Sequence, residues 1–495
     1  MIDIRRGRRP GRPAVLILAM CLFLAGCGKK QEAPEVFQVP DQPVLNLASF
    51  IPDTLNPVQT ENEQVSEILN LVYEPLVHVD NKMNPMPILA KEWSVSNNCT
   101  VWKIQLRKDI RFHDGSTLRV QDVINSLNLA RASARYSHVF NNVLSISEEN
   151  GNLIIMLSRA VPNFVSLLEI PISKGDGVGT GPYKLADNSS NKFMQLVAFE
   201  NWWNEDKPFI KEIMIRYMPD KNTFFFAYNA GEIDMVVASQ SDLGKYNSNE
   251  KNASAFVPTN RFSFMGFNGA RSSLFSHEFK QAINHALDKE KLAATIFSGR
   301  ADFTNSFINP KFSMASPEFS ASFFDAKKAN EILKDYHGRR DFEIIVNSDN
   351  ENRLNVAYFI ANSLKEVGIN ASVRRMAWSD YEAAVKGGHY DAFVGEVLLA
   401  NNSNVDFLFR DGNLFNYSSE ETNSVIKSWQ EQTTLAGIAG GYHFLEARVL
   451  EDLPFIGLYF ETKSCLYNEK LTSKRGEFKP LPNNPYFDIN YWYFK

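Results

Sequence analysis

Phe342-Glu343-Ile344-Ile345-Val346-Asn347, then Val356 to Val367, then Ala371-Ser372-Val373-Arg374-Arg375-Met376, read in order as strand, helix and strand. The same alternation recurs at Ile210 to Tyr217, Thr223 to Asn229 and Ile233 to Val237, and a chain that alternates in this way builds α/β domains. Nearer the start, the apolar run Val44 to Phe50 ahead of Ile51-Pro52-Asp53 reads as a strand and a turn, and Val65 to Val77 carries helical spacing through Val65, Ile68, Leu69 and Val72. Trp93 to Ile110 alternates instead. Thr100, Trp102, Ile104 and Leu106 share one face against Val101, Lys103, Gln105 and Arg107, with Asn97-Asn98 as a turn, which predicts a β-hairpin. His113-Asp114-Gly115 is a tight turn, and Thr117 opens an amphipathic helix through Val120, Val123, Ile124 and Leu127 with Asp122 in its first turn. Leu153 to Leu157 closes this block as a further strand.

The amino-terminal end has a different chemistry. A basic stretch, Arg5-Arg6-Gly7-Arg8-Arg9 with Arg12, precedes an apolar run from Ala14 to Ala25 that is too short to span a bilayer comfortably. The run ends in Leu24-Ala25-Gly26-Cys27, small residues before a cysteine, which resembles the bacterial site at which the thiol is acylated and the preceding peptide removed. The expectation is therefore a signal peptide over 1–26, a lipidated Cys27, and a polar spacer over 27–43. The product would be tethered to the cell membrane and face away from the cytoplasm. Beyond the anchor, Cys99 and Cys465 remain in a chain that leaves a reducing compartment, so pairing between them stays open.

The remaining body, about 450 residues, is long enough for two or three domains, and no second apolar stretch approaches the roughly 20 residues of a spanning helix. A net charge of −5 without any basic cluster in that body points away from nucleic acid. Aromatic residues make up 12% of the chain, with 37 phenylalanines, a supply that suits both a core and a wide apolar cleft. There is no Gly-x-Ser-x-Gly elbow, His-Glu-x-x-His, phosphate-binding glycine loop or Cys-x-x-Cys pair. His113-Asp114 and His389-Tyr390-Asp391 each place an acid near a histidine, but the first is better read as turn chemistry. The expectation is a binding protein with no catalytic residue, cofactor or metal.

Taken in order, Leu55-Asn56-Pro57, Val72-Tyr73-Glu74-Pro75-Leu76, Leu89-Ala90-Lys91-Glu92-Trp93, and Leu106-Arg107-Lys108-Asp109-Ile110-Arg111-Phe112-His113-Asp114-Gly115 with Asp122-Val123 carry a resemblance. So do Gly179-Thr180-Gly181-Pro182-Tyr183, Gly231-Glu232-Ile233-Asp234, Phe267-Asn268, Ala286-Leu287-Asp288 and Leu453-Pro454 with Leu458-Tyr459. The chain resembles family 5 of the bacterial extracellular solute-binding proteins, which serve ABC importers of oligopeptides, dipeptides and nickel chelates. That resemblance implies two α/β lobes of the periplasmic-binding-protein type II, joined by crossing strands and closing on solute by a hinge motion. Lobe I is expected over 44–75, 180–265 and 455–495, an inserted subdomain over 76–179, and lobe II over 266–454. It implies a monomer that takes a small molecule or short peptide and meets permease subunits. A sensor or scaffold of the same fold stands as an alternative, with a hydrolase behind it.

In peptide-binding members, a lobe II loop after a strand carries an Asp for the peptide's amino terminus, with an aromatic residue just before it. The matching stretch here is Gly395-Glu396-Val397-Leu398-Leu399-Ala400-Asn401-Asn402-Ser403-Asn404-Val405-Asp406. Glu396 stands at the aromatic position, Asn401 and Asn402 stand nearest the acid, and Asp406 is displaced toward the following helix. Glu61 is expected to face the cleft from the first lobe, with Arg261 available to a carboxylate and Phe262, Phe264 and Trp378 as aromatic walls. The alternative for Glu61 is a solvated surface residue, and for Arg261, Phe262 and Phe264 simple strand packing.

Overall fold

The computed structural model describes residues 43–96, 99–161, 163–239, 242, 245, 253–402, 404–430, 432 and 435–495. Cys27, the expected signal peptide, most of the spacer and the Asn97-Asn98 turn lie outside these residues. Three sheets organise the chain. In the first, Leu45–Ser49 runs parallel to Glu212–Tyr217, followed by Phe193–Ala198 and Tyr183–Asp187. Leu45 and Leu47 alternate into a core with Tyr183, Met194, Leu196 and Ile213, as expected for a strand with one buried face.

The second sheet is antiparallel and contains the expected hairpin, Ala90–Ser96 against Val101–Leu106, followed by Asn152–Leu157 and Val143–Glu149. Its helix begins at Val120, not Thr117. Thr117 forms a β-bridge with Arg111, and the Leu118 N–H donates to the Ile110 carbonyl at 2.9 Å, so the chain is still extended there. The Asp122 carboxylate accepts the Arg119 N–H at 2.9 Å and closes the helix start. Val123, Leu127, Ile104 and Ile155 meet in one cluster. The turn before it behaves as its residues require. Gly115 has φ +85°, and Asp114 accepts the Ser116 N–H at 2.9 Å.

The helix expected through Val72 stops at Leu69. The carbonyls of Leu71 and Val72 are taken by the N–H groups of Tyr183 and Gly181, at 3.1 and 2.9 Å, and Pro75 disfavours helix in the residue before it. This contact also explains the Gly179-Thr180-Gly181 block. A Cβ on Gly179 would lie 2.0 Å from the Val72 carbonyl oxygen, and one on Gly181 would lie 2.7 Å from that of Leu71. Close approach, not a left-handed backbone, is what requires glycine there.

The third sheet joins the two lobes. Its order is Met235–Ala238, Phe455–Tyr467, Ala253–Phe267, Ala392–Leu398, Asp341–Asn347 and Asn370–Met376, with Ala301–Phe303 beside Phe455–Tyr467. The strands Phe455–Tyr467 and Ala253–Phe267, 13 and 15 residues long, are antiparallel neighbours. At one end Val257, Cys465 and Tyr467 belong to the core built around Leu45 and Tyr183. At the other, Met265, Phe267, Ile456 and Leu458 belong to a core with Ile344 and Ile360. The pairing slips between Pro258 and Phe262, a bulge that breaks the ladder where the strands pass from one lobe to the other.

The expected helix after Phe342 to Asn347 spans Glu351–Glu366. Helices cover both faces of the lobe II sheet, so Phe262 and Phe264 are fully buried among Phe393, Phe415, Phe455 and Phe460. Cys99 and Cys465 are both buried and free, so they do not pair.

Candidate functional site

A cleft of about 680 Å³ opens between the carboxyl end of the strand Ala392–Leu398 and the segments around His78, Tyr136, Arg159 and Glu169. That strand runs parallel to Asp341–Asn347, and the crevice beyond the carboxyl ends of parallel strands is where open α/β sheets bind ligands. On this wall Leu398 is 67% exposed although it follows a buried strand interior. The loop beyond it is held in place. The Leu399 N–H donates to the Asn260 carbonyl at 3.0 Å, and the Tyr442 hydroxyl to that of Asn402 at 3.1 Å. The amide oxygens of Asn402 and Asn404 accept the N–H groups of Asn404 and Asp406, at 3.2 and 3.1 Å.

The opposite wall is organised by Glu169, whose side chain is only 6% exposed. One carboxylate oxygen accepts from His78 Nδ1 at 2.8 Å and from the Val79 N–H at 3.2 Å. The other accepts from Asn483 Nδ2 at 2.6 Å and, across the cleft, from Asn401 Nδ2 at 2.8 Å. Asn484 Nδ2 lies 3.3 Å from His78 Nε2, so the amide donates to Nε2 and the imidazole proton sits on Nδ1, facing the carboxylate. A second contact crosses the cleft between Arg159 and Asp406, 3.7 Å apart, while Arg159 Nε also donates to Asn142 Oδ1 at 2.9 Å.

Asn401, Asn402 and Asp406 therefore share this cleft. The other expected site residues sit elsewhere. Glu396, 9% exposed, is paired with Arg261 at 2.9 Å and Arg353 at 3.6 Å, and Arg261 also lies 3.5 Å from Glu461. These four groups occupy the bulged crossing of the long strands, where burial, reinforced by the charge of Glu396, raises the Glu461 carboxyl above its usual range. Phe262 and Phe264 are core. Glu61 is exposed, with its N–H donating to Asp53 at 3.0 Å. Trp378, 49% exposed, packs against Tyr381 at a ring distance of 5.8 Å and is not among the residues lining the cleft.

Sequence reasoning passed over Glu169, His78 and Arg159. One signal was available: Glu169 is the sole charge in the apolar run Phe164 to Ile172, and carboxylates are rarely buried without partners.

Chemically, the cleft offers amides, ion-pairing groups and exposed apolar surface. His113 lies outside it. Its Nε2 donates to the Gly181 carbonyl at 3.0 Å, Nδ1 accepts the Gly179 N–H at 3.3 Å, and burial pushes its pKa down. Among the described residues no three His, Cys, Asp or Glu side chains converge to hold a metal ion.

The family model "Bacterial extracellular solute-binding proteins, family 5 Middle" matches residues 84–411, a span that includes Glu169 and the loop Leu399–Asp406. The chain belongs to this family. Among curated relatives of this family 5 protein, the oligopeptide-binding protein AppA of Bacillus subtilis (strain 168) is 20% identical over 545 residues, covering 97% of each chain. The nickel-binding periplasmic protein of Escherichia coli (strain K12) is 24% identical, covering 57% of this chain and 58% of its own. Among solved structures, the unliganded open form of the periplasmic murein tripeptide binding protein MppA has a TM-score of 0.81 at 17% identity, over 92% of this chain and 98% of that one. The fold is thus the two-lobed α/β architecture of the family 5 proteins.

Proposed function

We propose that this family 5 protein captures short peptides outside the cytoplasm and hands them to the permease of an ABC importer, without turning them over. The observation that carries the reading is the 680 Å³ cleft at the strand ends, a size that suits a small ligand. Its amide side chains, Asn401, Asn404 and Asn483, match the N–H and carbonyl groups of an extended peptide, while Leu398, Tyr136 and Phe407 offer apolar contact. The names of AppA and MppA point the same way. Glu169 has both oxygens committed, so Asp406 is the carboxylate available to a peptide's ammonium group, exchanging it for Arg159.

We place lobe I at 44–75, 180–265 and 455–495, the inserted subdomain at 76–179 and lobe II at 266–454. The buried clusters around Leu45 and Ile104 support lobe I and the subdomain, and the cluster around Ile344 supports lobe II while also taking in Met265, Ile456 and Leu458 from the ends of the two long strands. No helix of the described residues is long and apolar enough to cross a membrane. Attachment is assigned to a lipid on Cys27, with 27–43 as the tether and a monomer as the working form. The full chain purified from its producing cells, with bound solute identified by mass spectrometry and rebinding measured by calorimetry, tests the function. Recovery of a peptide supports it, and recovery of a sugar, haem or metal chelate overturns the choice of cargo. Mass spectrometry of the amino terminus of the protein from its producing cells is expected to find a lipid-modified Cys27 as the first residue, and an unmodified Cys27 or a retained 1–26 contradicts the anchor.

A further inference from the structure

We infer that the cleft is selective for anionic ligands, with Arg135 and Arg410 as its specificity-determining residues. This deepens the peptide reading and rests on the same cleft. Three guanidinium groups line it, Arg135 and Arg159 on one wall and Arg410 on the other, with no lysine. Two carboxylates face them, and neither balances all three. Glu169 is buried and receives His78, the Val79 N–H, Asn401 and Asn483. Among the described residues, the Asp406 carboxylate is paired with Arg159 alone. Among the described residues, Arg135 and Arg410 form no ion pair; both are exposed, and Arg135 lies against the Tyr136 ring at 5.7 Å. Burial pushes the pKa of His138, also in the cleft, downward, so at neutral pH the positive charge of the cleft rests with the arginines.

Approach of the two walls gathers these like charges into one cavity. A ligand that neutralises them interacts more favourably with the approached arrangement than with the separated one, which is the condition for a ligand to drive closure. The planar guanidinium accepts carboxylates in a bidentate manner and holds its charge at any physiological pH. A peptide with acidic side chains would set its ammonium group on Asp406, release Arg159, and present carboxylates to Arg135, Arg159 and Arg410.

The test uses four probes titrated calorimetrically into the purified full chain: alanyl-glutamyl-alanyl-glutamate, its glutamine and lysine counterparts, and citrate. The glutamate peptide is expected to bind about tenfold or more tightly than the glutamine peptide, with the preference shrinking at high salt. The preference should fall to about twofold or less when Arg135→Gln and Arg410→Gln are combined, and survive when both are changed to Lys. Should the Gln protein fail to fold, the ranking of the four probes at low and high salt decides. Equal or tighter binding of the glutamine or lysine peptide overturns the inference and leaves peptide capture standing. Binding of citrate with no peptide keeps the anion selectivity and overturns peptide capture. Binding of none of the four overturns both.

Discussion

Replacing Asn401 by Ala removes the hydrogen bond that reaches across the cleft to Glu169 while leaving that carboxylate three donors: His78 Nδ1, the Val79 N–H and Asn483 Nδ2. Because those donors stay in place, the wall around Glu169 has no new unsatisfied group, and the melting temperature should stay near that of the wild type. The loss falls on the approach of the two walls. A hydrogen bond to a charged acceptor contributes about 1.5–3 kcal/mol, and a half-buried Asn401 belongs at the lower end, about 1.5 kcal/mol. That corresponds to roughly a tenfold smaller population of the approached arrangement and roughly a tenfold weaker apparent affinity. Calorimetry reads the affinity, and small-angle scattering of the ligand-free protein reads the spread of the lobes. In a Glu169→Ala background the Asn401→Ala change should cost clearly less than in the wild type, since the hydrogen bond across the cleft is already gone and only contact with the ligand is left to lose. Wild-type affinity and an unchanged scattering profile in Asn401→Ala, or losses that add in the double variant, would refute the reasoning.

Glu74 binds three segments together, accepting from Thr180 Oγ1 at 2.9 Å, Trp202 Nε1 at 3.0 Å and Trp203 Nε1 at 2.8 Å, so Glu74→Ala should cost about 3–5 kcal/mol in urea denaturation; a loss under about 1 kcal/mol would contradict this. Gly179→Ala, with its Cβ 2.0 Å from the Val72 carbonyl, should yield little folded protein in an expression and solubility assay, whereas Gly115→Asn, in open space at φ +85°, should fold. Burial pushes the Glu446 carboxyl up to about 8 from an ordinary value of 4.5. A raised carboxyl makes ionisation of the folded protein costly, so stability is fullest below about 4.5 and is lost as pH rises toward about 8. Glu446→Gln should therefore gain on the wild type at pH 8 relative to pH 4.5 in urea denaturation. Glu74, raised to about 7, acts in the same direction, so the slope shrinks but does not vanish. An unchanged difference between the two proteins at both pH values would count against the burial argument.

Periodicity made some elements legible. The alternation from Trp102 to Gln105 and the spacing from Val120 to Leu127 arise from one-sided burial, which a single strand or helix imposes on its own residues. The helix through Val72 was misread because its limit is set by distant groups, the N–H of Gly181 and Tyr183, which claim the backbone of Leu71 and Val72. Phe262 and Phe264 looked like a cleft wall because a fully buried strand and a ligand-facing aromatic strand have the same composition; helices on both faces of the sheet make them core. In the cleft, Asn401, Asn402 and Asp406 were reached through resemblance to the family's loop. His78 and Glu169 stand 91 residues apart and meet only through the fold, and Arg261 and Glu396, both suspected of gripping ligand, hold each other at the crossing strands instead.

Hydrogen exchange of the purified full chain, with and without the solute that accompanies it from its producing cells, tests the placement of the site most directly. The account predicts ligand-dependent protection concentrated in two stretches on opposite walls, around Arg135 to Asn142 and around Leu399 to Arg410. Protection confined to Glu61 and the Arg261–Glu396 crossing, with those two stretches unchanged, would contradict it.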